Sequence, residues 1–546
     1  EFHVKILHFL IENLIPFDSV TNSSFKNLLL HLHHSAVQLP DVETLLHLAN
    51  QMYNDYQNYF REYFGNHEEI SISLTCHSYQ FLKDEEPYIF LSASYIDSRF
   101  KLCELPLGVF NYNSINLSNL IVRNTFLNNY KGKLNFITSN CSFDERCLDI
   151  FKFVINEPGI DIKDKVLPCV PSFLNSRVEI FLNQLRPAFE LEHPTQLNIN
   201  SVTSSDDVIP HLTQVFLGPI YTKFKAIPFT LLSPCNGDEG GAYLDILKST
   251  SKNNDRNITL MFLNSCLVYK DKINEISDVG LTDLEWQLVD FLVQFNRIIC
   301  EIIIHIFDNS HATSHMALKW LKILIIKLIS FEKLLDKNYP LIETKISQPL
   351  KDFLASIESF HIEMENKYDL ILSSYLHPST KRLLKEKDVN KISSNVEKLS
   401  KNDDPHQFET SDIESLLLKT FNCLGSSTEC YDYETSAASD MNYQKQANFL
   451  AKESGPFILQ FWKKNKKKYP ILSKLARKSL SIQICSDRRY ESFKMNFDKL
   501  STSIHNASNS PCTLQELFFL NRLSEQYDLS SFDPKCLDSN IEDVRL

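Results

Sequence analysis

The sequence has little glycine, 11 residues among 546, and this scarcity argues against a largely disordered chain. Apolar residues make up 43% of the chain and aromatic residues 11%, which is ample material for buried cores. The chain is too long for one simple core, and about three structural units are expected from its length. The composition therefore predicts a globular protein of several units.

A membrane-spanning run is also missing. The longest strongly apolar stretch, Ile298 to Ile306, is interrupted by Glu301 and His305. It is far shorter than the roughly 20 residues that a helix needs to cross a bilayer. We therefore predict a soluble protein with no membrane partner.

Closely paired cysteines are absent, although the chain contains 13 cysteines. They are scattered from Cys76 to Cys536 without the spacing of a zinc module or of a small disulfide scaffold. An odd number in such a pattern is typical of reduced thiols in an intracellular protein. A zinc ion held by Cys76 or His77 together with Asp487 stays open as a minor alternative.

The chain has no overall excess of positive charge. Its net charge of -12 argues against a protein covered by nucleic acid, but the charges are unevenly distributed. Residues 403–440 carry nine acidic residues against Lys419 alone, whereas residues 461–490 carry ten Lys and Arg residues against Asp487 alone. Any contact with DNA is therefore expected in the second stretch.

The spacing of apolar residues predicts helices first and strands afterwards. Two amphipathic helices are expected at the start, one ending near Pro16 and one around Phe25 to Leu32. The elements predicted after them are strands at Ile70–Thr75, Tyr88–Ile96, Phe100–Leu107, Leu134–Thr138 and Val166–Val170, and helices near 116–128 and 144–154. This order predicts a mixed α/β sheet whose first three strands pair antiparallel, as in an RNase H-like fold.

The strongest motif lies near the C-terminus and is made of five short segments. They are Phe461-Trp462, Tyr469-Pro470-Ile471-Leu472, Leu475-Ala476-Arg477, Leu480-Ser481-Ile482 and Ser486-Asp487-Arg488-Arg489-Tyr490. Together they resemble the dimerisation signature of the hAT transposases, which are named for hobo, Activator and Tam.

Weaker matches follow the same family order along the chain. Leu281 to Trp286 is similar to the "LTxxEW" that opens the family's helical insertion, and Leu376-His377-Pro378 with Lys381 is similar to "LDPRxK". Near the start, Ile15-Pro16-Phe17 resembles the family's "LPF" segment. The resemblance thus runs over nearly the whole chain.

The resemblance implies a site where two metal ions are held by three carboxylates, because DNA cleavage needs an activated water and a stabilised leaving oxygen. Matching the family's strand motifs puts His77 in the place of the first aspartate and Ser139 in the place of the second. Asp487 corresponds to the family's glutamate. Two of the three ligands are replaced, so we predict no intact catalytic site, no metal site and no cofactor.

An active but divergent transposase is the competing interpretation. In that case different carboxylates would supply the ligands, and Mg²⁺ would be required. The candidates are Asp84, Glu85, Asp97, Asp144 and Asp149. Four residues separate Asp144 from the matching position at Ser139, and one helical turn of displacement moves a ligand by roughly 5 Å, too far for a metal–oxygen bond.

The basic stretch is the predicted DNA contact, through salt-dependent binding to phosphates. The predicted residues are Lys463, Lys464, Lys466, Lys467, Lys468, Arg477, Lys478, Arg488 and Arg489. The alternative is that the lysines form a solvated helix face or a localisation signal.

An apolar stripe in the same region predicts dimerisation, because in the family this region packs with a second subunit. The predicted residues are Trp462, Tyr469, Leu472, Leu475, Ala476 and Leu480. The alternative is that the stripe only closes the core of its own chain.

Five regions are expected from the pattern and the resemblance together. They are an N-terminal helical dimerisation or DNA-binding region (1–65), the first part of an RNase H-like domain (66–245), an all-helical insertion (246–387), an acidic flexible linker (388–440) and a C-terminal dimerisation region that completes the RNase H-like fold (441–546). The leading hypothesis is a domesticated or degenerate hAT transposase. It would act in the nucleus as a homodimer or higher oligomer that binds DNA and chromatin proteins without cutting strands. An interaction scaffold that binds only proteins is the third possibility.

Overall fold

A computed structural model gives the fold of the chain. It describes residues 2–13, 15–32, 39–67, 69–80, 87–111, 134–140, 165–189, 217, 263–264, 266–268, 270–275, 281–307, 312–377, 380, 384–403, 456–486 and 512–524. The chain divides into two compact units. One comprises Glu1–Cys169 with Leu459–Leu546, and the other comprises Val170–Ile458. We call them the sheet unit and the helical unit.

The described α-helices are numbered in chain order. They are α1 (Phe2–Glu12), α2 (Ser23–Leu32), α3 (Val42–Asn66), α4 (Val170–Leu185), α5 (Lys270–Glu275), α6 (Asp283–Phe307), α7 (Ala317–Glu332), α8 (Leu335–Asn338), α9 (Glu343–Glu365), α10 (Tyr368–Tyr375), α11 (Glu386–Asp403), α12 (Pro456–Asn465), α13 (Pro470–Leu480) and α14 (Cys512–Ser524). Short 3-10 helices lie at Phe17–Thr21, Pro187–Phe189 and Ser314–Met316. The two helices predicted at the N-terminus are thus confirmed as α1 and α2.

Five strands form one mixed sheet. They are β1 (Ile72–Gln80), β2 (Pro87–Ile96), β3 (Leu102–Asn111), β4 (Leu134–Ser139) and β5 (Val166–Pro168). Their spatial order is β3-β2-β1-β4-β5. The first three strands pair antiparallel, whereas β4 pairs parallel with both β1 and β5. The predicted mixed α/β sheet with an antiparallel meander is therefore confirmed.

The alternation of side chains along β1 gives the sheet two different faces. Leu74 and Cys76 belong to an apolar core, whereas Ser73, Thr75 and His77 are buried polar residues that point to the opposite side. The apolar face is covered by helices from both ends of the chain. The polar face receives the segment that follows α13, and this segment positions the candidate site.

The apolar face of the sheet shares one core with α1, α3 and α14. The α3 helix starts at Asp41, whose carboxylate accepts a hydrogen bond from the Thr44 N–H at 2.7 Å. Tyr53 of α3 meets Phe519 of α14 edge to face, with ring centroids 5.0 Å apart. The Asn521 side chain also donates to the Ile11 carbonyl at 2.9 Å. Residues 1–65 are consequently part of the sheet unit rather than a region of their own.

The helical unit begins earlier than the sequence predicts. The prediction extends the sheet domain to residue 245, but the division falls between Cys169 and Val170. The reason is the packing of α4. The ring centroids of its Phe181 and of Phe295 in α6 are 4.6 Å apart. Its Phe173 stacks on Phe360 of α9 with ring centroids 3.8 Å apart.

The start of α6 explains the "LTxxEW" motif in structural terms. The Thr282 N–H donates to the Glu285 carboxylate at 2.7 Å, and the Glu285 N–H donates to the Thr282 hydroxyl at 3.2 Å. This reciprocal pair is a capping box, which satisfies N–H groups that have no partner inside the helix. Trp286 is buried next to it and donates its indole N–H to Asn274 at 2.8 Å.

The predicted acidic linker starts as a helix. Residues 388–403 belong to α11, although their composition predicts a flexible segment. Tertiary packing explains the difference, because Ile392 is only 1% exposed and the Asn395 side chain donates to the Tyr368 hydroxyl of α10 at 3.3 Å. The rest of the predicted linker, and the helices predicted near 116–128 and 144–154, lie outside the described residues.

Within the described ranges, every helix is too short or too polar to cross a bilayer.

Candidate functional site

A polar seam joins the sheet to residues 481–486, which follow α13. The Ser73 and Ser481 hydroxyl oxygens are 3.0 Å apart, and the Thr138 hydroxyl donates to the Gln483 carbonyl. Both bonds are buried, so they replace water that the polar groups would otherwise need. The segment therefore runs along β1 and β4 towards the carboxyl ends of these strands.

His77 lies in the carboxyl half of β1, one residue beyond the point where β4 stops pairing with it, and it is only 3% exposed. Its Nδ1 is 3.4 Å from the Ser486 hydroxyl oxygen, and its Nε2 is 3.5 Å from the Asn140 side-chain nitrogen. These are long hydrogen bonds and individually weak. Together they hold the imidazole between the end of β4 and the segment after α13.

The orientation of the Asn140 amide assigns the proton of His77. The amide oxygen accepts the Ser78 N–H at 2.7 Å, and the amide nitrogen donates to the Ser78 carbonyl at 3.1 Å. The nitrogen can therefore only donate to Nε2 of His77, which leaves the proton of a neutral imidazole on Nδ1. Nδ1 then donates to the Ser486 hydroxyl.

Ser139 and Cys169 complete this cluster. Ser139 ends β4 directly beside Cys76 of β1, and its carbonyl accepts the Cys169 N–H at 2.7 Å. The Ser486 N–H in turn approaches the Cys169 sulfur at 3.4 Å. We call His77, Ser139, Asn140, Cys169 and Ser486 the His77 cluster.

The structure thus brings together two of the three predicted catalytic positions, His77 and Ser139, together with the residue before the third. Asp487 lies outside the described residues, as do Arg488 and Arg489. The described side chains of the cluster are an imidazole, two hydroxyls, a carboxamide and a thiol. Such donors do not fit Mg²⁺, which prefers hard oxygen ligands and above all carboxylates. In the described part of the chain, no group of three or more His, Cys, Asp or Glu side chains could hold a metal ion.

Asp97, a candidate ligand of the divergent-transposase interpretation, has a different role. Its carboxylate accepts the N–H groups of Arg99 at 2.9 Å and Lys101 at 2.8 Å, so it closes the turn between β2 and β3. Ser94 pairs with Ser73, so Asp97 lies beyond the opposite end of β1 from His77. That separation is roughly 20 Å, as judged from the rise per residue in a strand. The remaining candidate carboxylates, at positions 84, 85, 144 and 149, lie outside the described residues.

The lysines predicted to bind DNA lie at the end of α12 and in the loop that leads to α13. Lys463, Lys464, Lys466, Lys467 and Lys468 are all exposed. Trp462 next to them is completely buried and anchors the end of the helix. The Lys466 ammonium donates to the Ser98 carbonyl at 3.5 Å, which places the loop beside the β2–β3 turn.

Arg477, another predicted DNA contact, points inwards instead. It is 9% exposed, and its guanidinium donates to the Ile96 carbonyl through Nε at 3.3 Å and Nη2 at 3.2 Å. Its third nitrogen lies 3.7 Å from a Glu69 carboxylate oxygen. Arg477 therefore ties α13 to the end of β2 and is not available to phosphates, whereas Lys478 is half-buried.

Most of the predicted dimerisation stripe is buried within its own chain. Trp462, Tyr469, Leu472, Ala476 and Leu480 belong to the core, and among the six only Leu475 is half-buried. These five side chains are therefore buried without a second copy of the chain. Their predicted contact with a second subunit stays a prediction.

The "LDPRxK"-like segment also has a structural role. His377 is buried and stacks on His315 with ring centroids 4.4 Å apart. Burial, followed by the neighbouring His315 and Lys319, lowers the pKa of His377 well below its ordinary value. The imidazole is consequently a neutral core group of the helical unit.

The fold and the cluster together define a mixed α/β protein whose C-terminal helices complete the sheet unit. Residues 441–523 match the hAT family C-terminal dimerisation region. No curated protein matches the chain. The family match supports an hAT transposase-like protein that associates with itself, in agreement with the motif seen in the sequence.

Sequence reasoning missed two features of the site. Asn140 holds both His77 and the β1 backbone, and its position directly after the predicted strand and Ser139 was the available signal. The position of the β2–β3 turn beside the lysines was missed as well. Lys466 and Ser98 of this turn lie 368 positions apart in the sequence, and only the fold brings them into contact.

Proposed function

We propose that this chain is a catalytically inactive, transposon-derived protein with an RNase H-like sheet. It would act in the nucleus as a dimer that binds DNA or chromatin without cutting strands. The strand order β3-β2-β1-β4-β5, with three antiparallel strands first, supports the RNase H-like assignment. The family match at residues 441–523 supports the transposase ancestry and the dimer.

The observation that carries the proposed loss of activity is that the described side chains of the His77 cluster include no carboxylate. Strand cleavage by two metal ions needs negative oxygen ligands that hold the ions and activate the water. Where the family resemblance expects two aspartates, the strands present a buried imidazole and a hydroxyl. A single acid at residue 487 would not offset the cost of desolvating two divalent ions.

DNA binding does not depend on those carboxylates. Five exposed lysines within six residues give a dense positive charge that suits a phosphate backbone. This contact carries no base readout, so we expect affinity that is largely blind to sequence.

Incubation of the full chain with supercoiled plasmid DNA and Mg²⁺ or Mn²⁺ tests the loss of activity. We expect no nicking or strand joining above the level of the His77→Ala variant. Cleavage by the unaltered chain that is lost in this variant would overturn the proposal.

Restoring the acids provides a matched gain-of-function control. A His77→Asp, Ser139→Asp variant should bind Mn²⁺ in a calorimetric titration, whereas the unaltered chain should not. Equal Mn²⁺ binding by both proteins would show that another set of ligands holds the metal, which would favour an active divergent transposase.

A further inference from the structure

The turn between β2 and β3 is built to hold one conformation. Phe100 adopts a φ of 63°, which is unfavourable for a bulky side chain. The Asp97 carboxylate satisfies two backbone N–H groups of the turn, and the Asp97 and Lys101 backbones are joined by a 3.0 Å hydrogen bond. Backbone strain of this kind persists only where the surroundings determine the conformation.

Those surroundings come from α13. The Phe100 ring is buried, and the Arg477 guanidinium carbon lies 5.9 Å from its centroid. The same guanidinium donates twice to the Ile96 carbonyl at the end of β2. Arg477 therefore stabilises the turn through buried contacts, and these contacts explain why its side chain is buried.

The fixed turn presents its own basic side chains next to the lysine loop. In this turn Lys101 is exposed and Arg99 is half-buried. The Lys466 ammonium of the lysine loop donates to the carbonyl of Ser98, so the loop and the turn are in contact. We define the basic edge as the set of Arg99, Lys101, Lys463, Lys464, Lys466, Lys467 and Lys468.

Two acidic groups that contact the turn or Arg477 have partners of their own. Asp97 is buried and accepts two backbone N–H groups, and a Glu69 carboxylate oxygen lies 3.7 Å from the Arg477 guanidinium. The seven side chains of the basic edge are all cationic, and all except that of the half-buried Arg99 are exposed. A long polyanion fits such a surface better than a small ligand, because the charges come from two separate elements.

We propose that the basic edge binds the phosphate backbone of duplex DNA, and that Arg99 and Lys101 supply part of the contact. This inference rests on the proposed function and extends the lysine run to a second element. It also separates binding from the proposed lost chemistry, because the β2–β3 turn lies beyond the amino end of β1, roughly 20 Å along the strand from His77.

The test is fluorescence anisotropy of a labelled DNA duplex with the full chain, over a salt series from about 50 to 200 mM. The variant is Arg99→Ala, Lys101→Ala, and its matched control is Lys333→Ala, Lys337→Ala, which removes two exposed lysines of the helical unit. We expect the variant to reduce the slope of log affinity against log salt by about 2 and the control to leave it unchanged. Thermal unfolding of both proteins should match that of the unaltered chain.

The outcomes separate this inference from the proposed function. If the unaltered chain binds DNA in a salt-dependent way but the variant keeps the full slope, the role of the turn is overturned and DNA binding stands. If the unaltered chain shows no salt-dependent binding, both proposals are overturned. Arg99→Glu, Lys101→Glu gives a second check, because charge reversal must weaken binding more than truncation does.

Discussion

The two halves of β1 differ in their surroundings. In the carboxyl half, His77 is buried and hydrogen-bonded to Ser486 and Asn140, and the described side chains of the His77 cluster include no carboxylate. At the amino end, the β2–β3 turn and the lysine loop present exposed cations. A buried, hydrogen-bonded cluster suits a structural role, whereas exposed cations suit a polyanion. The position where the family resemblance expects a carboxylate is therefore separate from the proposed DNA-binding surface, and the two proposals can be tested independently.

The largest expected effect lies at the basic edge. Replacing Lys463, Lys464, Lys466, Lys467 and Lys468 by alanine removes five exposed charges, so affinity for duplex DNA near physiological salt should fall by about 100-fold or more. The free energy of unfolding should change little, because exposed lysines contribute little to it. Anisotropy titrations and urea unfolding measure the two quantities. Unchanged DNA affinity would contradict the proposal that the basic edge binds DNA.

The converse effect is expected at the His77 cluster. His77→Ala removes a buried ring and leaves the Ser486 and Asn140 groups with lost partners, so the free energy of unfolding should fall by roughly 2 to 4 kcal/mol. Urea unfolding measures the loss, and His77→Gln should restore part of it. DNA affinity of the folded variant should not change. A drop in affinity would mean that the two ends of β1 are coupled.

A smaller effect concerns His377, the buried imidazole of the helical unit, which lies in a different unit from His77. The pKa of His377 is lowered, first by burial and then by His315 and Lys319. As pH falls below about 6.5, the unfolded chain takes up a proton at this residue and the folded chain does not. The free energy of unfolding should therefore fall as the pH drops from neutral to about 5.5.

Urea unfolding at several pH values measures this dependence. The His377→Gln variant is the control, because it should lose this component while keeping the contributions of the remaining groups. An identical pH profile for the variant would show that His377 is charged in the folded state, contrary to its lowered pKa.

Much of the fold could be predicted from local pattern. The extended apolar and alternating runs predict the position of each described strand, because buried strand faces are visible in the sequence pattern, although β1 extends five residues beyond the predicted Thr75. The boundary of the helical unit could not be predicted in this way. Its first helix, α4, follows β5 with only Cys169 between them, and the contacts of Phe173 and Phe181 decide which core it joins.

The candidate site shows the same limit. Its residue types, His77 and Ser139 in place of aspartates, are visible in the chain. The sequence also favours a surface position for Arg477, because charge is usually exposed. In the fold the Ile96 carbonyl and the Phe100 ring compensate its burial. The apolar stripe of α13 is similarly ambiguous, since a stripe reports burial but not the molecule that provides it.

The sequence by itself determined the chemical inventory of this protein: the strand and helix periods, the dimerisation motif, the lysine run, and the presence of His77 and Ser139 in the sheet. Only the tertiary structure decided which distant residues are in contact, such as His77 with Ser486 and Lys466 with Ser98. The physical reason is that period and charge are local properties of a chain. Proximity across hundreds of residues instead follows from strand register and core packing, to which every element contributes.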